Sequence, residues 1–420
     1  MKILLKNVSI LDSRSVHNGL KKNILIENGV IKSISDEISE AEKMVDAGGG
    51  FVSPGWFDMQ AHFTDPGFEY KEDLESGASA AAAGGFTGVA ILPNTKPVIQ
   101  SKNAVTSVAK GNPHRLVQIY PIAAVSLETE GEDLTEMLDL SNAGAVAFSD
   151  GLKPVWHPDI LLKSLQYLQP INGLLINRPE DKLLSRFGTM HEGLVSTHLG
   201  LKGIPSLAEE LMVARDIEIL RYTNGRIHFS NISCEGSVRR IKEAKAEGMQ
   251  ITCDVAAHQL VFTDEDVADF DTNYKVSPPL RSKKDREALI EGLKEGTIDV
   301  IVSSHQPQDV ESKNLEFDLA ENGIIALQTV YPILNSLKDQ LSMELLIGKL
   351  AIAPRKLLGL EVPTIAEGAE ANLSIFHPDT KWTFDKKSNF SKSENSPFFG
   401  KELKGKVIGV IRGEFQEFYS

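Results

Sequence analysis

Residues 51–63 read FVSPGWFDMQAHF, an apolar run whose polar side chains gather at its C-terminal end. Side chains two positions apart on an extended strand share a face, so Gln60 and His62 leave this run on the same side. Apolarity that continues without alternation marks a strand covered on both faces, as in a parallel sheet. Seven further runs have the same character: TGVAILPN (87–94), LVQIYPIA (116–123), AVAFSD (145–150), GLLINR (173–178), RIHFSN (226–231), QITCDVAAH (250–258) and IDVIVSSH (298–305). Amphipathic helical patterns separate several of them, at 71–85, 205–223, 236–248 and 282–296. Strand and helix in eightfold alternation predict an α/β fold, a (β/α)8 TIM-like barrel. The competing architecture is an open doubly wound sheet. It is disfavoured because no glycine-rich nucleotide fingerprint follows the first run and because the count is eight.

Both ends of the chain differ from this middle. KILLKNVSIL (2–11), KNILIENGVIKSIS (22–35) and MVDAGGGFVSPG (44–55) read as short strands, with Asn28-Gly29 as a turn signal. ANLSIFHPD (371–379) and GKVIGVIRGEFQEF (405–418) are similar. One small β-sandwich-like domain built from 1–54 and 362–420, around a barrel over 55–361, is the expected division.

The chain has 420 residues, 44 basic and 58 acidic, for a formal charge of −14. That balance argues against nucleic acid or an anionic membrane as the main partner, since both select a basic surface. Two cysteines, Cys234 and Cys253, do not make a disulfide framework and suit a reducing cytoplasm. They read as packing thiols. The N-terminal run alternates like a strand and lacks a small-residue cleavage site, so no signal peptide is expected. No apolar stretch reaches the length of a membrane span.

Barrel enzymes work at the C-terminal ends of their strands. The residues at those ends here are Asp58, Gln60 and His62, Asn94, Asp150, Asn177, Asn231, His258, Ser304 and His305. These are side chains of the kind that metal-dependent hydrolases use there. Three segments make the comparison specific: KEDLESGASAAAAGGFTGVAILPNTKPV (71–98), VSPPLRSKKDREALIEGLKEGTIDVIVSSHQP (276–307) and NFSKSENSPFFGKELKGKV (389–407). The chain resembles, over essentially its whole length, the dihydroorotases of the amidohydrolase superfamily. The PPLR and PNTKP phrases point to that family within the superfamily.

The resemblance implies a zinc site at the barrel mouth, a polarised water, and a strand-eight aspartate that handles the proton as a cyclic amide opens or closes. Its ligand positions fall on Gln60 and His62 in strand one, Asp150 in strand four, Asn177 in strand five and Asn231 in strand six. His62 and Asp150 keep ligand types, whereas Gln60, Asn177 and Asn231 carry neutral amides in place of imidazoles. The catalytic aspartate position is Ser304, which has no carboxylate to accept a proton. Among substrate positions, Asn94 is retained, and Thr64 and Gln308 stand where the family has an arginine and a histidine. A surviving single-metal site from His62, Asp150, His258 and His305 is the weaker alternative. His191 and His198 read as surface residues of the loop after strand five, and Lys392 as a residue bonding locally in the tail loop.

These replacements fall on one set of functions, which points to a metal-poor, non-catalytic dihydroorotase homologue with a structural or regulatory role. On that reading no cofactor is expected. The first alternative is an active dihydroorotase, acting on dihydroorotate and N-carbamoyl-aspartate through a remodelled zinc site. The second is a metal-free sensor of a pyrimidine precursor. The resemblance also implies aspartate transcarbamoylase, or another pyrimidine-pathway enzyme, as a partner, and a homo-oligomer.

Overall fold

The computed structural model describes residues 1–37, 40–111 and 114–419. The N-terminal segment forms β1 (Lys2–Ile10), β2 (Lys21–Glu27), β3 (Val30–Ser35), β4 (Lys43–Asp46) and β5 (Phe51–Pro54). Asn28 and Gly29 both take positive φ, 50° and 77°, which a two-residue hairpin between β2 and β3 requires.

Next come the barrel strands β6 (Trp56–Ala61), β7 (Phe86–Ile91), β8 (Gln118–Ala123), β9 (Ala147–Phe148) and β10 (Leu175–Asn177). A two-stranded excursion, β11 (Met190–His191) with β12 (Gly203–Ile204), precedes β13 (Ile227–Phe229), β14 (Ile251–Ala256) and β15 (Val300–Val302). The helices between them include α1 (Leu74–Ala83), α2 (Lys102–Gly111), α3 (Met137–Ala143), α4 (Pro158–Leu168), α5 (Leu194–Leu199), α6 (Leu207–Thr223), α7 (Glu235–Ala246) and α8 (Lys283–Glu295). The four helices read from the sequence correspond to α1, α6, α7 and α8.

All eight expected barrel runs are strands, parallel and in sequential order from β6 to β15. A parallel bridge between Ala61 and His305 brings the last strand back to the first, and the His62 amide donates to the His305 carbonyl at 2.8 Å. The fold is the (β/α)8 barrel that the repeat predicted. Successive strand residues divide by direction. Phe57, Met59, Ala90, Ile122, Ala147, Ile176, Ala256, Val300 and Val302 pack with one another inside the barrel. Trp56, Val89, Ile119, Phe229 and Ile301 pack outward with the helices. Two-sided burial is why these strands carry no polar alternation.

The chain closes with β16 (Asn372–Thr383), β17 (Glu402–Arg412) and β18 (Phe415–Phe418). These join β5, β1, β2 and β3 in one sheet, with β4 alongside β1, so both termini build it together. The junction is antiparallel pairing of β5 with β16, Val52 opposite Ile375. Isoleucines from both ends, among them Ile3, Ile24, Ile26, Ile375 and Ile411, form its core.

Trp56 fixes the seam between sheet and barrel. Its indole is fully buried against Phe86, Tyr331 and Phe376, with ring centroids 5.2–5.9 Å away, and its Nε1–H donates to Ser53 Oγ at 2.9 Å. Gly85, at φ 93°, lies so close beneath the ring that a Cβ there would come within 2.6 Å of it. Among the described residues no helix is long and apolar enough to cross a membrane.

Candidate functional site: a hydrogen-bonded barrel mouth

Seven of the eight strands, all but β8, deliver the polar residues read from the sequence to the same end of the barrel. Gln60 and Asn177 lie within their strands, and His62 is one residue past the end of β6. Asn94 lies three residues past β7, while Asp150, Asn231, His258 and Ser304 each lie two past theirs. Asn231 and Ser304 adopt left-handed backbone at φ 55° and 52°, turning the chain sharply off the strand. Such conformations outside glycine carry strain and gather at functional sites.

Most of these side chains are bonded to protein. Ser230 Oγ donates to Gln60 Oε1 at 2.8 Å, tying β13 to β6. Asn177 Nδ2 donates to Asp216 Oδ2 at 2.6 Å, and its Oδ1 accepts from the Val155 amide at 2.8 Å. Asn231 Nδ2 donates to Ser304 Oγ at 3.0 Å. The Asp150 carboxylate accepts from the Val125 and Ser126 amides and from Ser126 Oγ, at 3.1, 2.9 and 2.6 Å. Burial holds its pKa above the ordinary value against those three donors.

His62 Nε2 lies 2.9 Å from the Asn94 carbonyl oxygen, which can only accept, so Nε2 carries the proton. Burial lowers the His62 pKa to about 4, so the ring is neutral at pH 7. Its Nδ1 and the Oδ1 of Asn231 are buried acceptors without a hydrogen-bond partner among the described residues.

The substrate positions are engaged too. Asn94 Nδ2 donates to the Asp150 carbonyl at 3.0 Å, and its Oδ1 accepts from the Leu152 amide at 2.8 Å. Thr64 Oγ1 lies 2.8 Å from the Phe68 and Glu72 carbonyl oxygens. Gln308 Oε1 accepts from Lys71 Nζ at 2.7 Å, and its Nε2 donates to the Asn322 carbonyl at 2.7 Å. His305 is fixed between Glu72 Oε2, 3.3 Å from its Nε2, and the Ala326 amide, which donates to its Nδ1.

One reading needs correction. His191 is not a surface residue. It lies buried on β11, and Arg281 Nη1 donates toward its Nδ1 at 3.3 Å. The PPLR loop carries that guanidinium inward, which the sequence position of His191 could not reveal. His198 is exposed, as expected. Lys392 bonds locally, donating to the Glu69 carbonyl at 2.9 Å and pairing with Asp73. Cys234 and Cys253 are buried free thiols, and burial raises both pKa values.

Sequence reasoning passed over Asp216, Arg178 and Ser230. Asp216 carried a signal: it shares the buried phase of α6 with Met212, Val213, Ile217 and Leu220, where a charge needs a partner. Its carboxylate pairs with Arg215 at 2.6 Å besides accepting from Asn177. Burial raises its pKa to about 6. Arg178 Nη1 donates to the Leu152 carbonyl and Nη2 bonds Ser277 Oγ, tying strand five to the PPLR loop.

Comparison with known proteins decides the family. Residues 49–237 match the family described as "Dihydro-orotase-like", and 187–413 match "Amidohydrolase family". A dihydroorotase from Syntrophus aciditrophicus is 41% identical over 98% of both chains. One from Acetivibrio thermocellus is 42% identical over 97% of both. The chain belongs to the dihydroorotase family. The L-hydantoinase (dihydropyrimidinase) of Arthrobacter aurescens superposes with a TM-score of 0.86 at 24% identity, covering 100% of this chain and 97% of that one, which shows the shared fold.

The zinc site that the dihydroorotase family implies does not fit the donors present. Three of its positions hold carboxamides, and each of the three amides is bonded to a neighbouring group. The Asp150 carboxylate is held by Val125 and Ser126. Among the described residues no three His, Cys, Asp or Glu side chains converge to hold a metal, so His62, Asp150, His258 and His305 do not form such a group.

His258 makes a clean pH probe. Burial alone lowers its pKa from 6.5 to about 4. The unfolded chain therefore takes up the proton first, and the stability associated with the neutral ring is complete above pH 6.5 and lost as pH falls toward 4. Relative to His258→Gln, which does not titrate there, the native chain should lose about 3 kcal/mol over that interval. Urea unfolding of both chains at several pH values checks this, and a constant difference would contradict it.

Proposed function

We propose that this dihydroorotase-family chain is a non-catalytic homologue in pyrimidine biosynthesis, retained in a structural or regulatory role. The observation that carries the reading is the bonding at the barrel mouth. The amides of Gln60, Asn177 and Asn231 each hold a protein partner where the family's imidazoles would face a metal. Ser304 at the proton-transfer position bonds Asn231 and cannot act as a carboxylate base. This bonding pairs at least one polar atom of each of the three amides without a metal, although His62 Nδ1 and Asn231 Oδ1 stay unpartnered among the described residues. A sensor role is less well supported, because both ends of the Asn94 amide are engaged by Asp150 and Leu152.

The second reading is an active dihydroorotase that opens and closes the cyclic amide through a remodelled site. It is favoured by the relatives named dihydroorotase at 41–42% identity over nearly the full chain. One sample separates the two: metal content per chain by mass spectrometry after expression with zinc, followed by dihydroorotate hydrolysis. The non-catalytic reading expects sub-stoichiometric zinc and no hydrolysis above background. Stoichiometric metal with turnover would establish the second reading instead. The proposed role places the chain in the cytoplasm, as a homo-oligomer, with aspartate transcarbamoylase or a neighbouring pathway enzyme as partner. Co-purification with that enzyme is the corresponding test.

A further inference from the structure

A cavity of about 280 Å³ lies at the opposite end of the barrel from the mouth, walled by the starts of β7 and β8, the linker after the last helix, and the terminal sheet. Two guanidinium groups reach it. Arg355, on the short helix Ala353–Leu357, is only 5% exposed. It donates to the carbonyls of Gly55 and Ala351 at 2.5 and 2.9 Å and to Thr87 Oγ1 at 3.0 Å. Arg412, at the end of β17, donates to the Arg115 carbonyl at 3.0 Å and to Gln118 Oε1 at 3.2 Å. The hydrogen-bond acceptors of both groups are neutral oxygens, and the Phe57 ring centroid lies 5.2 Å from the Arg355 guanidinium carbon. A buried cation without a carboxylate is costly, and burial lowers the Arg355 pKa to about 10.

The remaining polar groups of the cavity add donors. Asn372 accepts from Thr87 through Oδ1, and Gln118 accepts from Arg412 through Oε1. Both side chains line the cavity, and their Nδ2 and Nε2 amino groups can only donate. Tyr120 lines the same cavity. Two guanidinium groups and two side-chain amides in one small cavity, within a chain of charge −14, make a surrounding suited to an oxyanion. Glu361 and Glu370 also line it, but both are exposed and so are solvated at the rim.

We propose that this cavity binds a small oxyanion of the phosphate class, either inorganic phosphate or the phosphate group of a small metabolite. The site lies across the barrel from the mouth and is independent of whether the mouth is catalytic. Calorimetric titration of the full chain with inorganic phosphate and with glycerol 3-phosphate tests it. Saturable binding that weakens about tenfold or more in Arg412→Gln is the expected result. Tighter binding of inorganic phosphate identifies the free ion as ligand, and tighter binding of glycerol 3-phosphate identifies an organic phosphate. Glu370→Gln removes a rim charge and should strengthen binding about threefold, a readout that remains if Arg412→Gln fails to fold. No saturable heat at about 10 mM of either probe, or affinity unchanged in the substituted chains, would overturn the proposal.

Discussion

Zinc is expected to bind the chain carrying Gln60→His, Asn177→His, Asn231→His and Ser304→Asp at least about a hundredfold more tightly than the unmodified chain. Imidazole nitrogens bind zinc far better than amide oxygens, and a tight site needs several of them in one geometry. Any single replacement leaves the other amides bonded to Ser230, Asp216 or Ser304, so each alone should change affinity little. Asn177→His has local support, since the Asp216 carboxylate that now accepts from Asn177 Nδ2 stands ready to accept a ring N–H. Carboxylates in that position orient a ligating histidine and raise its basicity. Competition against a chromophoric chelator measures the affinities. If the unmodified chain competes as well as the fourfold variant, the amides are not the obstacle and the non-catalytic reading fails.

Trp56→Ala should destabilise the chain by about 4 kcal/mol, the range for deleting a fully buried large aromatic. The indole is the common contact of Phe86, on the barrel, and Phe376, on the terminal sheet, with Tyr331 between them. Its removal leaves a cavity at the seam and strips Ser53 Oγ of the Nε1–H donor. Trp56→Phe keeps much of the packing and loses only that hydrogen bond and part of the ring, so a cost of about 1–2 kcal/mol is expected. Urea midpoints report both values if the slope of the transition is unchanged. A loss below about 1 kcal/mol for the alanine variant would mean that the seam relaxes to fill the space.

The barrel was legible because its cause is local and repeated. Each strand buried on two faces is apolar along its length, and each helix buried on one side is amphipathic, so periodicity alone records the layering. The terminal sheet was legible for a similar reason, helped by Asn28-Gly29, whose positive φ angles only a few residues accept readily. Gln60, Asn177 and Asn231 were also recognisable as amides at ligand positions, since their place follows from strand ends and from the family resemblance.

Partners were not legible. Ser230 reaches Gln60 across 170 residues, Asp216 reaches Asn177 across 39, and Ser304 reaches Asn231 across 73. No periodicity encodes such pairs, because closure of the barrel brings them together. The same holds for His191, whose buried position depends on Arg281 arriving from the PPLR loop 90 residues later, and for the cavity beneath the barrel, which joins β7 and β8 to the last strands. The sequence by itself determined the strand and helix repeat, the two-ended sheet and the chemical type of each residue at the barrel mouth. Only the tertiary structure decided which groups those residues hold. Hydrogen bonds and charge pairing depend on distances of about 3 Å between atoms far apart in the chain, and folding alone sets those distances.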